Sequence, residues 1–185
     1  MIIGKVFIKM DENYKFIMYL DYDGVLNSEN YYMKIYKDFV QNDDNRKDFY
    51  YRNFLSQFCI QKEAVECLNK VYDKFPFCII LTCTRRFEFT PTQWNFFFKE
   101  LNKVKAYIGG RTGKSKNFWR EDEIYEYHNH SGLFNFKNIP LLVIDDDTKD
   151  LQKYKDKLIN TDFKTGLTLD YYDEIIEKLK AQGVE

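Results

Sequence analysis

Runs of about five apolar residues alternate along the chain with stretches in which apolar side chains recur every three or four positions. This is the pattern of parallel strands linked by helices. Phe16 to Leu20 reads as the first core strand and ends at Asp21; upstream, Ile2 to Met10 offers an extra strand, turned back through Asp11, Glu12 and Asn13. Tyr31, Tyr32, Ile35, Tyr36, Phe39 and Val40 follow helical spacing, and Phe49, Tyr50, Phe54, Leu55 and Phe58 do so again after the polar break Gln41 to Lys47. Gln61 to Phe75 predicts a firmer helix, with Ala64, Val65, Leu68, Val71 and Tyr72 on one face and Pro76 as its stop. The second strand runs from Phe77 to Leu81, a helix follows Pro91, and Val104 to Ile108 gives a third strand, after which Gly109, Gly110 and Gly113 open a loop. Glu121 to His130 is the next helix, Leu141 to Ile144 a buried strand, Lys157 to Asn160 a last strand and Asp170 to Lys180 the final helix. The expected fold is α/β: a Rossmann-like three-layer sandwich around a central parallel sheet, with a small helical insertion after the first core strand.

Composition narrows this without changing it. A chain of 185 residues and 22.5 kDa suits one domain with a real core, so residues 1–185 are expected to form one domain with 28–60 as a small cap. Lys and Arg number 28 against 29 Asp and Glu, so no global basic field advertises nucleic acid and any polyanion site must be local. A hydrophobic fraction of 44% with 8 Gly and 3 Pro excludes collagen-like and disordered classes. No apolar run approaches the roughly 20 residues of a membrane span, and Met1 to Met10 lacks the pattern of a secretory signal. Cys59, Cys67, Cys78 and Cys83 contain no Cys-x-x-Cys pair. Reduced thiols and a cytoplasmic setting are expected.

The chemistry concentrates at two strand ends. Phe16 to Leu20 delivers Asp21 and Asp23, two carboxylates two positions apart, and then Gly24. Ligands of parallel sheets bind beyond the carboxyl ends of the strands, where a reactive group belongs. A calcium loop would need a glutamate six residues after that glycine, and the position is Asn30. Leu141 to Ile144 delivers Asp145, Asp146 and Asp147, with Asp150 beyond. Adjacent carboxylates repel unless a cation compensates them. Solvated charge at a helix N-terminus is the bland explanation of one such cluster, but two at the ends of separate apolar strands with oxygen-only ligands point to Mg²⁺.

With these residues in this order the chain resembles the haloacid dehalogenase superfamily of phosphohydrolases, whose first signature is an apolar strand followed by Asp-x-Asp-Gly. Cys78-Ile-Ile-Leu-Thr82 is similar to the second signature and Asp145-Asp146 to the acidic fourth. The layout of Asp21 to Asn27, Leu81 to Arg85, Arg120 to Ile124, Asp145-Asp146 and Gly166-Leu-Thr168 resembles the small domains of this superfamily associated with RNA repair proteins. Thr84 stands where those domains commonly carry Trp.

The resemblance implies a Mg²⁺-dependent phosphomonoesterase. Asp21 would be the nucleophile that forms an aspartyl-phosphate, and Asp23 the acid and base. Mg²⁺ would be held by Asp21, the Asp23 carbonyl and Asp146, with Asp145 as a ligand or beside one. Thr82 would donate to a phosphoryl oxygen, and Arg120, or else Lys116 or Lys114, would balance the transition-state charge. Arg85, directly after the second strand, suits a substrate phosphate; so does Lys114, and pairing of Arg85 with a nearby Asp is the equal alternative. An accessible site favours a phosphate on a larger body: a polynucleotide end first, then a phosphoprotein, then a small metabolite. Tyr31, Tyr32, Phe49 and Tyr50 could stack bases, although such stripes are more often core. The contrasting reading is a catalytically silent module gripping a phosphorylated partner through Arg85, Arg111, Lys114 and Lys116.

Other signals fail on spacing. Gly113-Lys114-Ser115 lacks the earlier glycine of a phosphate loop, since that position is Ile108, and Cys83 lacks an arginine six residues on, where Phe89 stands. His128 and His130 point to different faces of a helix, so they are expected to be solvent-exposed and not zinc ligands.

Overall fold

The computed structural model describes residues 14–41, 59–130 and 136–185, with backbone alone for 36–41. The strand expected at Ile2 to Met10 and the helix expected over Phe49 to Phe58 lie outside these residues. Among the described residues, five strands form one parallel sheet: β1 (Phe16–Leu20), β2 (Phe77–Leu81), β3 (Tyr107–Arg111), β4 (Leu141–Asp145) and β5 (Leu158–Asn160), in the order β3-β2-β1-β4-β5. Every residue of β1, β2 and β4 is buried. Central strands covered on both faces have no polar side to show, which explains their continuous apolar runs.

Two cores follow from the alternation of side chains across the sheet. Phe16, Met18 and Leu20 of β1 join Phe77, Ile79 and Leu81 against helix α2 (Lys62–Lys74), which presents Ala64, Cys67, Leu68 and Val71. On the same face lie Trp94 of α3 (Pro91–Asn95) and Ile175 and Leu179 of α5 (Tyr172–Lys180). Ile17, Tyr19, Cys78, Ile80 and Val143 fill the other face with Ile124 of α4 (Arg120–His130), Phe136, Leu151 and Tyr154. The α3 start is specified locally, because Thr90 and Gln93 form a capping box ahead of Pro91. Helix α1 (Glu29–Gln41) follows β1 at the start of the expected cap.

The strand order reverses beside β1, whose neighbours are β2 on one side and β4 on the other. Open parallel sheets bind ligands at that switch point, outside the carboxyl ends. The two acidic clusters of the sequence end β1 and β4, and so they meet there.

Two expectations are corrected. The third strand runs Tyr107–Arg111, so Gly109 and Gly110 belong to it and do not open a loop. Ile79 pairs with Ile108 but Ile80 with Gly110, which makes Gly109 the extra residue of a bulge. A Cβ on Gly110 would stand 2.3 Å from the Tyr127 hydroxyl of α4, so the strand has no room for a side chain there. His128 is buried, while His130 is exposed. The inner helical face carries it to β1, where its Nδ1 lies 3.0 Å from the Tyr19 hydroxyl.

Candidate active site

The backbone ladder runs one residue past the strands. The N–H of Asp21 donates to the Ile144 carbonyl, Thr82 to Leu20 and Thr112 to Leu81, each at 3.0 Å, and Thr161 donates to Asp145 at 3.1 Å. Thr112, Thr82, Asp21 and Asp145 thus stand in a row at the sheet's carboxyl edge. Asp21 and Asp145 are buried, and both threonines are fully so. The Thr82 and Thr112 hydroxyls have no hydrogen-bond partner among the described residues. A buried hydroxyl without a partner costs about 1–3 kcal/mol, a cost that a bound acceptor would remove.

Asp23 sits on the turn that leaves β1. Val25, Leu26 and Asn27 all donate backbone N–H to the Tyr22 carbonyl, at 3.3, 2.8 and 3.2 Å. Gly24 makes this turn possible with φ +78, and a Cβ there would stand 2.5 Å from the Asp146 carboxylate carbon. Gly24 therefore seats Asp146 against the turn. The turn is braced from behind: the Gln61 side-chain amide donates to the Thr165 and Leu167 carbonyls at 2.8 and 3.1 Å, and Leu167 N–H donates to Val25. The Gly166-Leu-Thr168 segment thus supports the first signature.

Asp21, Asp145 and Asp146 each offer an oxygen within 4.8 Å of the others. Arg120, at the start of α4, reaches them from the side: its Nη1 lies 3.2 Å from Asp21 Oδ1 and donates a short hydrogen bond to Asp145 Oδ2. Asp145 Oδ1 also accepts the Asp147 N–H at 3.0 Å, so both its oxygens have protein donors. Asp150 accepts the Arg120 N–H at 2.8 Å, capping α4 instead of joining the cluster.

Burial pushes Asp21 well above the usual carboxylate range; Arg120 opposes this, and Asp145 and Asp146 add to it. Asp145 is raised by burial against the pull of Arg120. Burial works against the Arg120 charge, but the carboxylates of Asp21 and Asp145 outweigh it and its proton is held more tightly than usual. Three carboxylates facing one guanidinium leave an excess of two negative charges when all are ionised, which fits a divalent cation bound by oxygen. Asp21, Asp145 and Asp146 are the residues that could hold it, with the Arg120 guanidinium already on Asp21 and Asp145.

Other candidates stand further out. Asp23 is half exposed at its side chain, with Oδ1 4.0 Å from Arg85 Nη1, and its carboxyl is raised by burial, lowered by Arg85 and raised by Glu88. Arg85 donates to Glu88 Oε2 from Nε and Nη2, each at 3.1 Å. Lys114 and Lys116 are exposed on the loop before α4. Lys114 lines a cleft of about 270 Å³ together with Arg120, whereas Lys116 is not among its lining residues. Arg111 donates to the Arg86 and Phe89 carbonyls, which places it in the scaffold. Tyr31 is half-buried and Tyr32 exposed on α1, and Phe49 and Tyr50 lie outside the described residues. Cys83 is buried, and desolvation followed by the Asp21 and Asp23 charges pushes its thiol up to about 12, far from a nucleophile.

Arg86 is the residue that sequence reasoning missed. Buried beside Arg85, it donates to the carbonyls of Thr82, Cys83, Thr112 and Gly113 at 2.8–3.1 Å and pairs with Glu123 at 2.7 Å. It ties the ends of β2 and β3 to the helix that carries Arg120. Nothing in the string Thr82-Cys-Thr-Arg-Arg86 separates an inward arginine from an outward one.

A family model described as the HAD domain in Swiss Army Knife RNA repair proteins matches residues 17–171. No curated protein and no solved structure matches the chain.

Proposed function

The chain belongs to the family of HAD domains in Swiss Army Knife RNA repair proteins, and from that premise we propose that it is a Mg²⁺-dependent phosphomonoesterase working through a phosphoryl group carried on Asp21. The observation that carries the reading is the convergence at one switch point of a buried Asp21, the Arg120 guanidinium 3.2 Å from it and the unpartnered Thr82 hydroxyl at the next strand end. Mg²⁺ held by Asp21, Asp146 and the Asp23 carbonyl would neutralise charge, so that an anionic carboxylate and an anionic phosphate can meet.

Each step has a residue for it. An Asp21 oxygen attacks phosphorus as the bond to the leaving oxygen breaks, and the Asp23 carboxylic acid gives that oxygen its proton. Burial favours the protonated Asp23 this requires. Asp23, now a carboxylate, then takes a proton from water as the water attacks phosphorus, and the bond to Asp21 breaks to release phosphate. Arg120 and the Thr82 hydroxyl stabilise the oxygens on which charge spreads.

The substrate we assign is the phosphate at a polynucleotide end, acted on in the reducing setting that the buried thiols of Cys67, Cys78 and Cys83 suit, the cytoplasm. Phosphate release from phosphorylated oligonucleotides, phosphopeptides and an aryl phosphate, with Mg²⁺ and with EDTA, tests this. Metal-dependent release fastest on oligonucleotides is the expected result. No release from any of them by folded, Mg²⁺-saturated protein would instead mark a silent module that binds phosphorylated partners.

A further inference from the structure

The mouth beside Arg120 exposes more aromatic surface than a sealed core requires. Phe118 is 75% exposed, Trp119 54% and Phe87 41%. Phe118 also adopts φ 59, a left-handed conformation that a bulky L-residue rarely accepts. Strain of this kind persists where the surroundings enforce it, often beside a functional site. Here the turn is fixed from both sides, since Phe118 N–H donates to the Ser115 carbonyl at 3.3 Å and the Ser115 hydroxyl donates to the Trp119 carbonyl at 3.3 Å. Glycine would take this φ without cost.

Phe118 lines the 270 Å³ cleft with Thr84, Arg86, Lys114, Arg120, Glu123 and Asp150. Most of its polar groups are already engaged. Arg86 and Glu123 pair with each other, Glu123 also accepts from Ser115 N–H, and Asp150 accepts the Arg120 N–H. What the cleft offers a ligand is the Phe118 ring, the Thr84 side chain and Lys114, whose ammonium lies 5.5 Å from the Phe87 ring and forms no ion pair among the described residues. Arg120 joins this cleft to Asp21. A flat ring and a second negative charge, attached to the phosphate at Asp21, match that offer; a phosphoserine side chain brings no ring.

We propose that the cleft seats the terminal base of a polynucleotide substrate, stacked on Phe118, with Lys114 meeting the adjacent backbone phosphate. This rests on the phosphomonoesterase reading above and assigns the side on which the substrate body lies.

The test uses the Asp21→Asn protein, which holds substrate without consuming it. Fluorescence anisotropy gives its affinity for a short oligoribonucleotide phosphorylated at its 5′ or 3′ end, for the same strand with an abasic terminal nucleotide, and for a phosphoserine peptide. Base–aromatic stacking sets the expected preference for the base-bearing end at about 5-fold or more. Phe118→Gly should erase that preference without lowering the melting temperature, Phe118→Trp should keep it, and Lys114→Gln should reduce the salt slope by about one phosphate contact. Equal affinity for base-bearing and abasic ends, a preference that survives Phe118→Gly, or tighter binding of the peptide overturns the proposal. Hydrolysis by the wild-type protein is measured alongside. Base preference without hydrolysis sinks the phosphatase reading alone, and hydrolysis without base preference sinks the stacking site alone.

Discussion

The Arg120 Nη1 nitrogen lies 3.2 Å from Asp21 Oδ1 while donating to Asp145 on the far side. One guanidinium nitrogen thus bridges the ends of β1 and β4. Arg120→Ala is expected to lower kcat about 100- to 1,000-fold, the cost of removing a preorganised donor from a transition-state oxygen. Steady-state kinetics of this variant beside Lys116→Ala checks it; a larger loss in Lys116→Ala would move the role to that lysine.

Arg86 holds the frame in which Arg120 works. With four carbonyls and Glu123 on one buried guanidinium, Arg86→Ala is expected to destabilise the fold by about 3–5 kcal/mol, as breaking a buried pair does. Lys cannot supply the same fork of donors, so Arg86→Lys should recover little. Urea unfolding measures both, and adding Glu123→Gln to Arg86→Ala should restore part of the loss by removing the stranded charge.

Gly24 and Gly183 make a controlled pair, with φ +78 and +79. A Cβ at Gly24 meets Asp146, whereas one at Gly183 meets nothing within 4 Å among the described residues. Alanine at either pays the left-handed cost of about 1–2 kcal/mol. Only Gly24→Ala should also weaken Mg²⁺ binding, by about 10-fold or more, which calorimetric titration of both variants reads directly.

His128 gives the fold an acid limit. Burial, then the charge of Lys157, lowers its pKa from 6.5 to about 4, with a hydrogen bond to the Ile139 backbone opposing. Below about pH 6.5 the unfolded chain takes up a proton that the folded one refuses, so stability falls as pH drops towards 4, by up to about 3 kcal/mol. Urea unfolding between pH 7 and 4 should show a steeper decline for wild type than for His128→Gln. Equal slopes would remove His128 from the account.

Much of the fold is legible in the residues because sheet burial writes itself into the chain: Phe77 to Leu81 is apolar without a break since both its faces are covered. Asp21 and Asp145 are legible for a related reason, since a charge ending such a run must stand at the sheet's edge. What stays hidden depends on tertiary contacts. Gly109 and Gly110 read as a loop until the Tyr127 hydroxyl is seen against Gly110. His128 reads as a surface residue until Tyr19 meets it, and Arg86 is distinguished from Arg85 by which carbonyls surround it.

Asp21, with Mg²⁺, is proposed to carry phosphoryl transfer. Phosphate release from an aryl phosphate, measured for wild type with Mg²⁺, wild type with EDTA and Asp21→Asn with Mg²⁺, tests it most directly. Release is expected only in the first of these, with the variant folded as shown by an unchanged circular dichroism spectrum. Comparable release by Asp21→Asn, or release that persists in EDTA, would contradict it.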